Sequence, residues 1–150
     1  MKTRCLLRKR NLADSHLTRE QHDAIIATLE DGDDMDRSIA LVLKLMSGLG
    51  LRRGEALKIS LNNFSLFYGR WTLEMTSLKA NQHISVETPD ALVDAVEQYC
   101  REHDRRPDEL VFQLNPQRMV HHFHHACDLN GISGISIHAF RHFYFTENFC

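Results

Sequence analysis

The sequence lacks an apolar stretch long enough to cross a membrane. Its best apolar run, from Ile39 to Met46, is interrupted by Lys44, whereas a membrane-spanning helix needs roughly 20 mostly apolar residues. The N-terminus has basic residues but lacks the apolar segment of a secretory signal. Internal repeats and low-complexity tracts are also missing. We therefore expect a globular protein without membrane contact.

Paired cysteines are missing as well. The four cysteines are widely separated, and no two form a Cys-x-x-Cys pair. Disulfide frameworks and zinc sites usually bring cysteines together at short, regular spacings. The scatter therefore predicts free thiols in a reducing cytoplasm. The residues concerned are Cys5, Cys100, Cys127 and Cys150.

Net charge is low, at −2 from 18 basic and 20 acidic residues, which argues against a general polyanion binder. The charges are nevertheless distributed unevenly. An N-terminal basic arm has no acid among its bases, whereas residues 14–36 carry many acids against the single base Arg19. The arm either lies along a phosphate backbone or is a solvated terminus, and the sequence favours neither. Its basic residues are Lys2, Arg4, Arg8, Lys9 and Arg10.

Hydrophobic periodicity predicts one domain over residues 17–150, mainly α-helical with a small antiparallel β-sheet, after a basic arm or linker at 1–16. A capping-box sequence at Thr18 to Gln21 precedes the first helix, and a strongly apolar helix is expected over about 36–49. Alternation predicts strands at 71–75 and 83–87, joined as a hairpin. Further helices are expected over about 53–59, from Thr88-Pro89 to about 103, over 116–130 and from Ser136 to about 149.

Histidines cluster on the predicted helix over 116–130. His121 and His125 lie opposite its apolar stripe and are four residues apart, a spacing at which two imidazoles can share a metal ion. No cysteine or carboxylate nearby in the sequence completes a ligand set. We therefore favour a solvated or DNA-facing histidine surface, with a metal-binding helical protein as the alternative.

Two short motifs suggest a phosphate ligand. His138 and Arg141 are three residues apart, which on a helix places both side chains on one face. Imidazole transfers protons near neutral pH, and guanidinium donates two hydrogen bonds to a phosphate. Upstream, Arg52 follows Gly48 and Gly50 and precedes Glu55. Arg52 and Glu55 form either a weak surface ion pair or a pair in which the carboxylate holds the guanidinium in one rotamer toward a phosphate.

Three features occur along the chain in this order: Gly-Leu-Arg-x-Gly-Glu, a lysine-bearing hairpin and His-x-x-Arg-His. With these features the sequence resembles the catalytic domain of the tyrosine recombinases, the phage integrase family. The resemblance covers residues from about Leu17 to the end. It implies DNA strand breakage and rejoining, in which a tyrosine attacks the scissile phosphate and frees a 5′-hydroxyl. The implied partner is double-stranded DNA, and the implied chemistry uses no metal or nucleotide cofactor.

The resemblance also implies roles for individual residues. Arg52 and Arg141 match the two arginines that neutralise the non-bridging oxygens in the transition state. Lys79, in the hairpin, matches the lysine that protonates the leaving 5′ oxygen, and His138 matches a histidine that assists proton transfer. His142 is expected to pack or to form hydrogen bonds beside the site.

The sequence departs from the family after these motifs. The family's Leu-Gly-His box and nucleophilic tyrosine follow a few dozen residues later, whereas this chain ends eight residues after His142. Tyr144 is expected to be a core aromatic residue rather than the nucleophile. We therefore expect a truncated recombinase domain that is inactive alone. The alternative is a catalytically inactive module that binds DNA or a full-length recombinase. We also expect self-association, because the last predicted helix carries more aromatic side chains than one face can bury.

Overall fold

The computed structural model describes residues 16–77 and 81–149, except for the side chain of Phe149. These residues form six α-helices and a small antiparallel sheet, which confirms the predicted fold class. No helix in this part of the chain is long and apolar enough to cross a membrane. The elements in order are α1 (Arg19–Glu30), α2 (Asp34–Leu49), α3 (Arg53–Ala56), a 3-10 helix (Leu61–Asn63), β1 (Phe64–Phe67), β2 (Arg70–Ser77), β3 (Gln82–Thr88), α4 (Asp90–Glu102), α5 (Pro116–Leu129) and α6 (Ala139–Phe149).

The chain divides into two compact units. The first unit extends to Arg53 and resumes at Leu114, so it contains α1, α2, α5 and α6. The second unit runs from Gly54 to Gln113 and contains the sheet and α4.

Helix α2 lies at the centre of the first unit, in contact with α1, α5 and α6. Most of its circumference is apolar, and its buried side chains include Ile39, Val42 and Leu45, none of which is exposed. Such a helix is stable only when other helices cover it on several sides. From α6, Phe140 and Phe143 are buried, and the Phe143 ring stacks on His22 of α1 with 4.4 Å between ring centroids.

Local sequence signals explain where these helices begin and end. The capping box at α1 is present, because the Thr18 hydroxyl accepts from the Gln21 N–H and the Gln21 side chain accepts from the Thr18 N–H. Asp33 and Asp36 form a second capping box at α2. At α5, the Asn115 side chain caps a helix whose first residue is Pro116, a position where a missing N–H costs nothing.

The second unit contains a three-stranded antiparallel sheet in the order β1-β2-β3. The predicted hairpin is its β2–β3 pair, in which Leu73 lies opposite Val86. Leu73 is fully buried, and Val93 and Val96 of α4 are at most 1% exposed. The Val111 N–H donates to the Ile59 carbonyl over 2.9 Å, which ties the segment after α4 to the segment before the sheet.

Several predicted boundaries were wrong. Strand β1 was not predicted, because its four residues, Phe-Ser-Leu-Phe, lack a clear alternation. Helix α3 is shorter than predicted, and Thr88 ends β3 while Pro89 is the N-cap of α4. Helix α6 begins at Ala139 rather than at Ser136.

Candidate functional site

Arg52 lies in a short non-helical segment between α2 and α3. Gly50 is the C-cap of that helix, with φ of 74°, and its N–H donates to the Met46 carbonyl. This left-handed conformation favours glycine because it brings a Cβ too close to the backbone. Leu51 is 1% exposed and anchors the segment in the core. Arg52 is half-buried immediately beyond this anchor, so the end of α2 fixes the position of its backbone.

Arg141 reaches the same segment from α6. Its Nε donates a hydrogen bond to the Gly50 carbonyl over 3.0 Å. Its guanidinium carbon lies 4.8 Å from the centroid of the Phe145 ring, one helical turn further along α6. Arg141 is therefore bonded to a carbonyl that lies only two residues before Arg52 in the chain. The two predicted arginines thus meet at one loop, which carries Arg52 and binds Arg141.

The Tyr144 ring lies close to Gly50. A Cβ at Gly50 would lie 2.6 Å from Tyr144 Cδ2 and 2.8 Å from Cε2, distances that real side-chain atoms do not adopt. The close approach of this half-buried ring is thus possible only because residue 50 is glycine.

His138 lies in the turn before α6, so the prediction that it shares a helix with Arg141 was wrong. The Arg141 and His142 N–H groups both donate to the His138 carbonyl, over 3.0 and 3.3 Å. The exposed imidazole of His138 contacts the His142 ring edge-on, with 4.5 Å between centroids. His142 therefore packs beside His138, as the resemblance implied.

Two further residues were predicted to belong to this group. Lys79 lies outside the described residues. Glu55 is 7% exposed on α3, in the second unit. The assignment of Lys79 and the pairing of Glu55 with Arg52 therefore stay predictions.

The histidine cluster has a carboxylate neighbour that the sequence did not reveal. His122 Nδ1 lies 2.7 Å from Asp36 Oδ1, across the α5–α2 contact. Ligand atoms of Asp33, Asp36 and His122 lie within 4.8 Å of one another. Both carboxylates also accept backbone N–H groups in the α2 capping box, and helix capping with one His–Asp contact accounts for the arrangement. His121 and His125 are exposed.

Chemically, the first unit offers two guanidinium groups near one loop and an exposed imidazole at the start of the helix that carries Arg141. Guanidinium pairs suit the non-bridging oxygens of a phosphodiester. Gly50, Tyr144 and Phe145 were missed as contributors to this group. The spacing of four between Arg141 and Phe145 is the signal that could have identified the phenylalanine.

Comparison with solved structures shows the same fold in site-specific recombinases. XerH bound to its difH substrate, in a pre-cleavage complex, gives a TM-score of 0.71 with 16% sequence identity over 89% of this chain. XerH in a post-cleavage complex with a palindromic difH substrate gives 0.72, with 18% identity over 88% of this chain. The XerA recombinase gives 0.65, with 13% identity over 89%. The chain spans 44%, 41% and 48% of the chains in these three structures.

Comparison with curated protein sequences gave no match. The model of the phage integrase family, in contrast, matches residues 15–147. That match covers nearly the whole chain and includes Arg52, His138 and Arg141. The chain therefore belongs to the phage integrase family.

Proposed function

We propose that this chain provides the phosphate-binding part of a tyrosine recombinase catalytic site and engages double-stranded DNA at a scissile phosphate. The observation that carries the proposal is the hydrogen bond from Arg141 Nε to the Gly50 carbonyl. It joins the two motifs of the family, whose residues Gly50 and Arg141 lie in the two separate sequence segments of the first unit. Family membership and the recombinase fold support the same assignment.

In the proposed reaction, a tyrosine oxygen attacks the phosphorus atom while the bond to the 5′ oxygen breaks. Negative charge grows on the non-bridging oxygens, and Arg52 and Arg141 stabilise it with hydrogen bonds that are already oriented. Lys79 donates a proton to the leaving 5′ oxygen, so that a hydroxyl rather than an alkoxide departs. His138 assists by moving a proton at the phosphate.

The nucleophile in this proposal comes from a tyrosine outside the 150 residues. Tyr144 packs against Gly50, and Tyr99 is 8% exposed. Tyr68 lies in the turn between β1 and β2. Positioned arginines cannot replace a nucleophile, because no covalent bond to phosphorus can form without one.

A nicked suicide substrate carrying the parent element's recombination site tests the proposal. The nick lets the short strand diffuse away, so that a covalent protein–DNA adduct accumulates and is scored on a denaturing gel. We expect no adduct with the chain alone, and an adduct when a separate C-terminal piece with the nucleophilic tyrosine is added. Arg141→Ala should then slow adduct formation by about 100- to 1000-fold, as for the loss of one transition-state donor.

Arg118→Ala is the matched control, because Arg118 is an exposed arginine in the same unit. An adduct formed by the chain alone and lost with Tyr144→Phe would make Tyr144 the nucleophile and contradict the proposal. DNA binding without an adduct in any combination would instead favour the inactive binding module.

A further inference from the structure

Arg141 is held by aromatic side chains that the proposed reaction does not use. Phe145 lies on its guanidinium, with 4.8 Å from the central carbon to the ring centroid. Tyr144 packs against Gly50, whose carbonyl accepts from Arg141 Nε. The two rings also contact each other edge-on at 5.2 Å. The guanidinium, the carbonyl and the two rings thus form one connected group.

These two aromatic residues differ from the others on α6. Phe140 is fully buried and Phe143 is 8% exposed, and both fill the core against neighbouring helices. Tyr144 and Phe145 are only half-buried. A half-buried ring contributes less to the core than a buried one, so packing in the core does not by itself account for their positions.

Each contact removes a different freedom of the arginine. The Nε–H bond fixes the rotation of the guanidinium plane, because Nε is the atom at which the planar group joins its flexible stem. The Phe145 ring restrains the position of the guanidinium through a cation–π contact. Tyr144 acts one step away: its ring occupies the space beside Gly50 and restricts movement of the segment that carries the accepting carbonyl. A pre-oriented guanidinium loses less side-chain entropy when it binds a phosphate.

We propose that Phe145 and Tyr144 are positioning residues for Arg141, which set its orientation toward a DNA phosphate. Phe145 acts directly, and Tyr144 acts through Gly50. The inference rests on the proposed function, because a phosphate is the ligand toward which the arginine is oriented. It extends that function to two side chains that themselves donate nothing to the phosphate.

Two measurements report on the orientation of the Arg141 side chain. The first is solvent exchange of its Nε–H proton, measured by NMR, which is slow while the bond to the Gly50 carbonyl is intact. The second is the salt dependence of affinity for a short DNA duplex. Each phosphate contact contributes about 0.9 to the slope of log affinity against log salt. Loss of apolar packing alone changes neither the Nε–H exchange rate nor the salt slope.

We expect Phe145→Leu to speed Nε–H exchange, to weaken DNA binding about two- to fivefold and to lower the salt slope, because the cation–π contact is lost. Tyr144→Ala should also speed exchange, whereas Tyr144→Phe keeps the ring and should behave like the unchanged protein. Phe143→Leu is the matched control. It removes a ring from the same helix and should lower thermal stability without changing the Nε–H exchange or the slope.

The outcomes separate this inference from the proposed function. If Arg141→Ala leaves both affinity and salt slope unchanged, the proposed function fails. If Arg141→Ala lowers both while Phe145→Leu leaves exchange and slope unchanged, the proposed function stands and the positioning inference is overturned. If Tyr144→Ala does not fold, Phe145→Leu still tests the direct contact with Arg141. Tyr144→Leu then replaces Tyr144→Ala as the test of the contact through Gly50.

Discussion

At the scale of single residues, the chemistry of the two described cysteines is set by burial. Cys100 and Cys127 are free and 3% exposed, whereas Cys5 and Cys150 lie outside the described residues. Burial raises the pKa of Cys127 from its ordinary value of 9.0 to about 11, and the neighbouring Asp128 carboxylate raises it further. Burial also raises the pKa of Cys100. The thiolate, which is the reactive form, is therefore disfavoured at both positions.

We predict that stability falls between about pH 9 and pH 11, with Cys127 as one cause. The unfolded chain releases this thiol proton near the ordinary pKa, whereas the folded chain keeps it until about pH 11. The folded state therefore binds more protons in this window, and rising pH favours unfolding. Denaturant unfolding across this range measures the effect.

Cys127→Ala should flatten this pH dependence, even though the lost sulfur lowers stability at every pH. The change of stability with pH is therefore the quantity to compare. Alkylation mapped by mass spectrometry provides an independent check, since Cys127 should react far more slowly in the folded protein than in denaturant. Equal rates in both states would show that the thiol is not protected.

At the scale of elements, the start of α2 combines several polar contacts. Asp33 Oδ1 accepts the Asp36 N–H over 2.8 Å, and Asp36 Oδ2 accepts the Asp33 N–H over 3.2 Å. Asp36 also contacts His122, which links α2 to α5. The hydrogen bond from the Asp36 backbone is the main cause that lowers the pKa of Asp33, and the nearby His122 contributes. Asp36 thus takes part in the cap of one helix and contacts another.

Asp33→Ala should destabilise the protein by about 0.5–2 kcal/mol, the range for loss of an N-cap side chain. Asp33→Asn keeps an accepting oxygen and should cost less at neutral pH. Because the folded pKa of Asp33 is lowered, its ionised form stabilises the protein above the ordinary pKa, and this stabilisation is lost as pH falls through the folded pKa.

Urea unfolding at neutral and acid pH measures both effects, and Asp33→Asn should reduce the loss in acid. Asp94→Ala is the matched control, since Asp94 is exposed within α4. An Asp33→Ala variant as stable as the Asp94→Ala variant would contradict a capping role.

At the scale of the whole molecule, the exposed apolar surface differs from the expected one. The aromatic patch expected on α6 is largely absent in the described residues, because Phe140 and Phe143 are buried. The end of β1 and the turn after it are apolar instead: Leu66 and Phe67 of β1 and Tyr68 of the turn are exposed by 58%, 66% and 90%. Tyr68 also has φ of 51°, an unfavourable conformation for a bulky residue. We therefore predict that self-association uses the end of β1 and this turn.

We predict that Phe67→Ser combined with Tyr68→Asn lowers self-association, because the change removes two exposed rings. Asparagine also tolerates positive φ, so the turn should keep its conformation. Light scattering over a range of protein concentrations measures the mass. Leu129→Ser, at an exposed leucine in the other unit, is the control. A wild-type protein that remains monomeric at high concentration would contradict the expectation of self-association.

DNA binding is predicted to be weak, independent of sequence and strongly salt-dependent, because the net charge is −2 and few phosphate contacts are available. Deleting residues 2–10 should lower the salt slope by up to about 0.9 for each lost phosphate contact. An arm with the same residues in scrambled order should retain binding, since this term does not depend on sequence. Affinity that is unchanged when salt rises to physiological concentration would contradict the prediction.

Much of the fold could be predicted from local patterns in the sequence. The capping box at Thr18, the apolar α2 with Gly50 at its end, and the β2–β3 hairpin all depend on residues close together in the chain. Such signals act over one helical turn or one strand, so periodicity and turn chemistry reveal them. The family and the residues Arg52, His138 and Arg141 were also visible in motif order, although their catalytic roles, like that of Lys79, stay predictions.

Only the tertiary structure decided which of these residues meet. Arg141 and Gly50 are 91 residues apart, and His122 and Asp36 are 86 apart. No local spacing encodes such pairs, because they form when apolar faces of separate helices pack around α2. The same packing buries Phe140 and Phe143 and leaves Tyr144 and Phe145 beside Gly50 and Arg141. The sequence alone determined the elements and the motifs, and long-range burial determined the contacts of the second arginine.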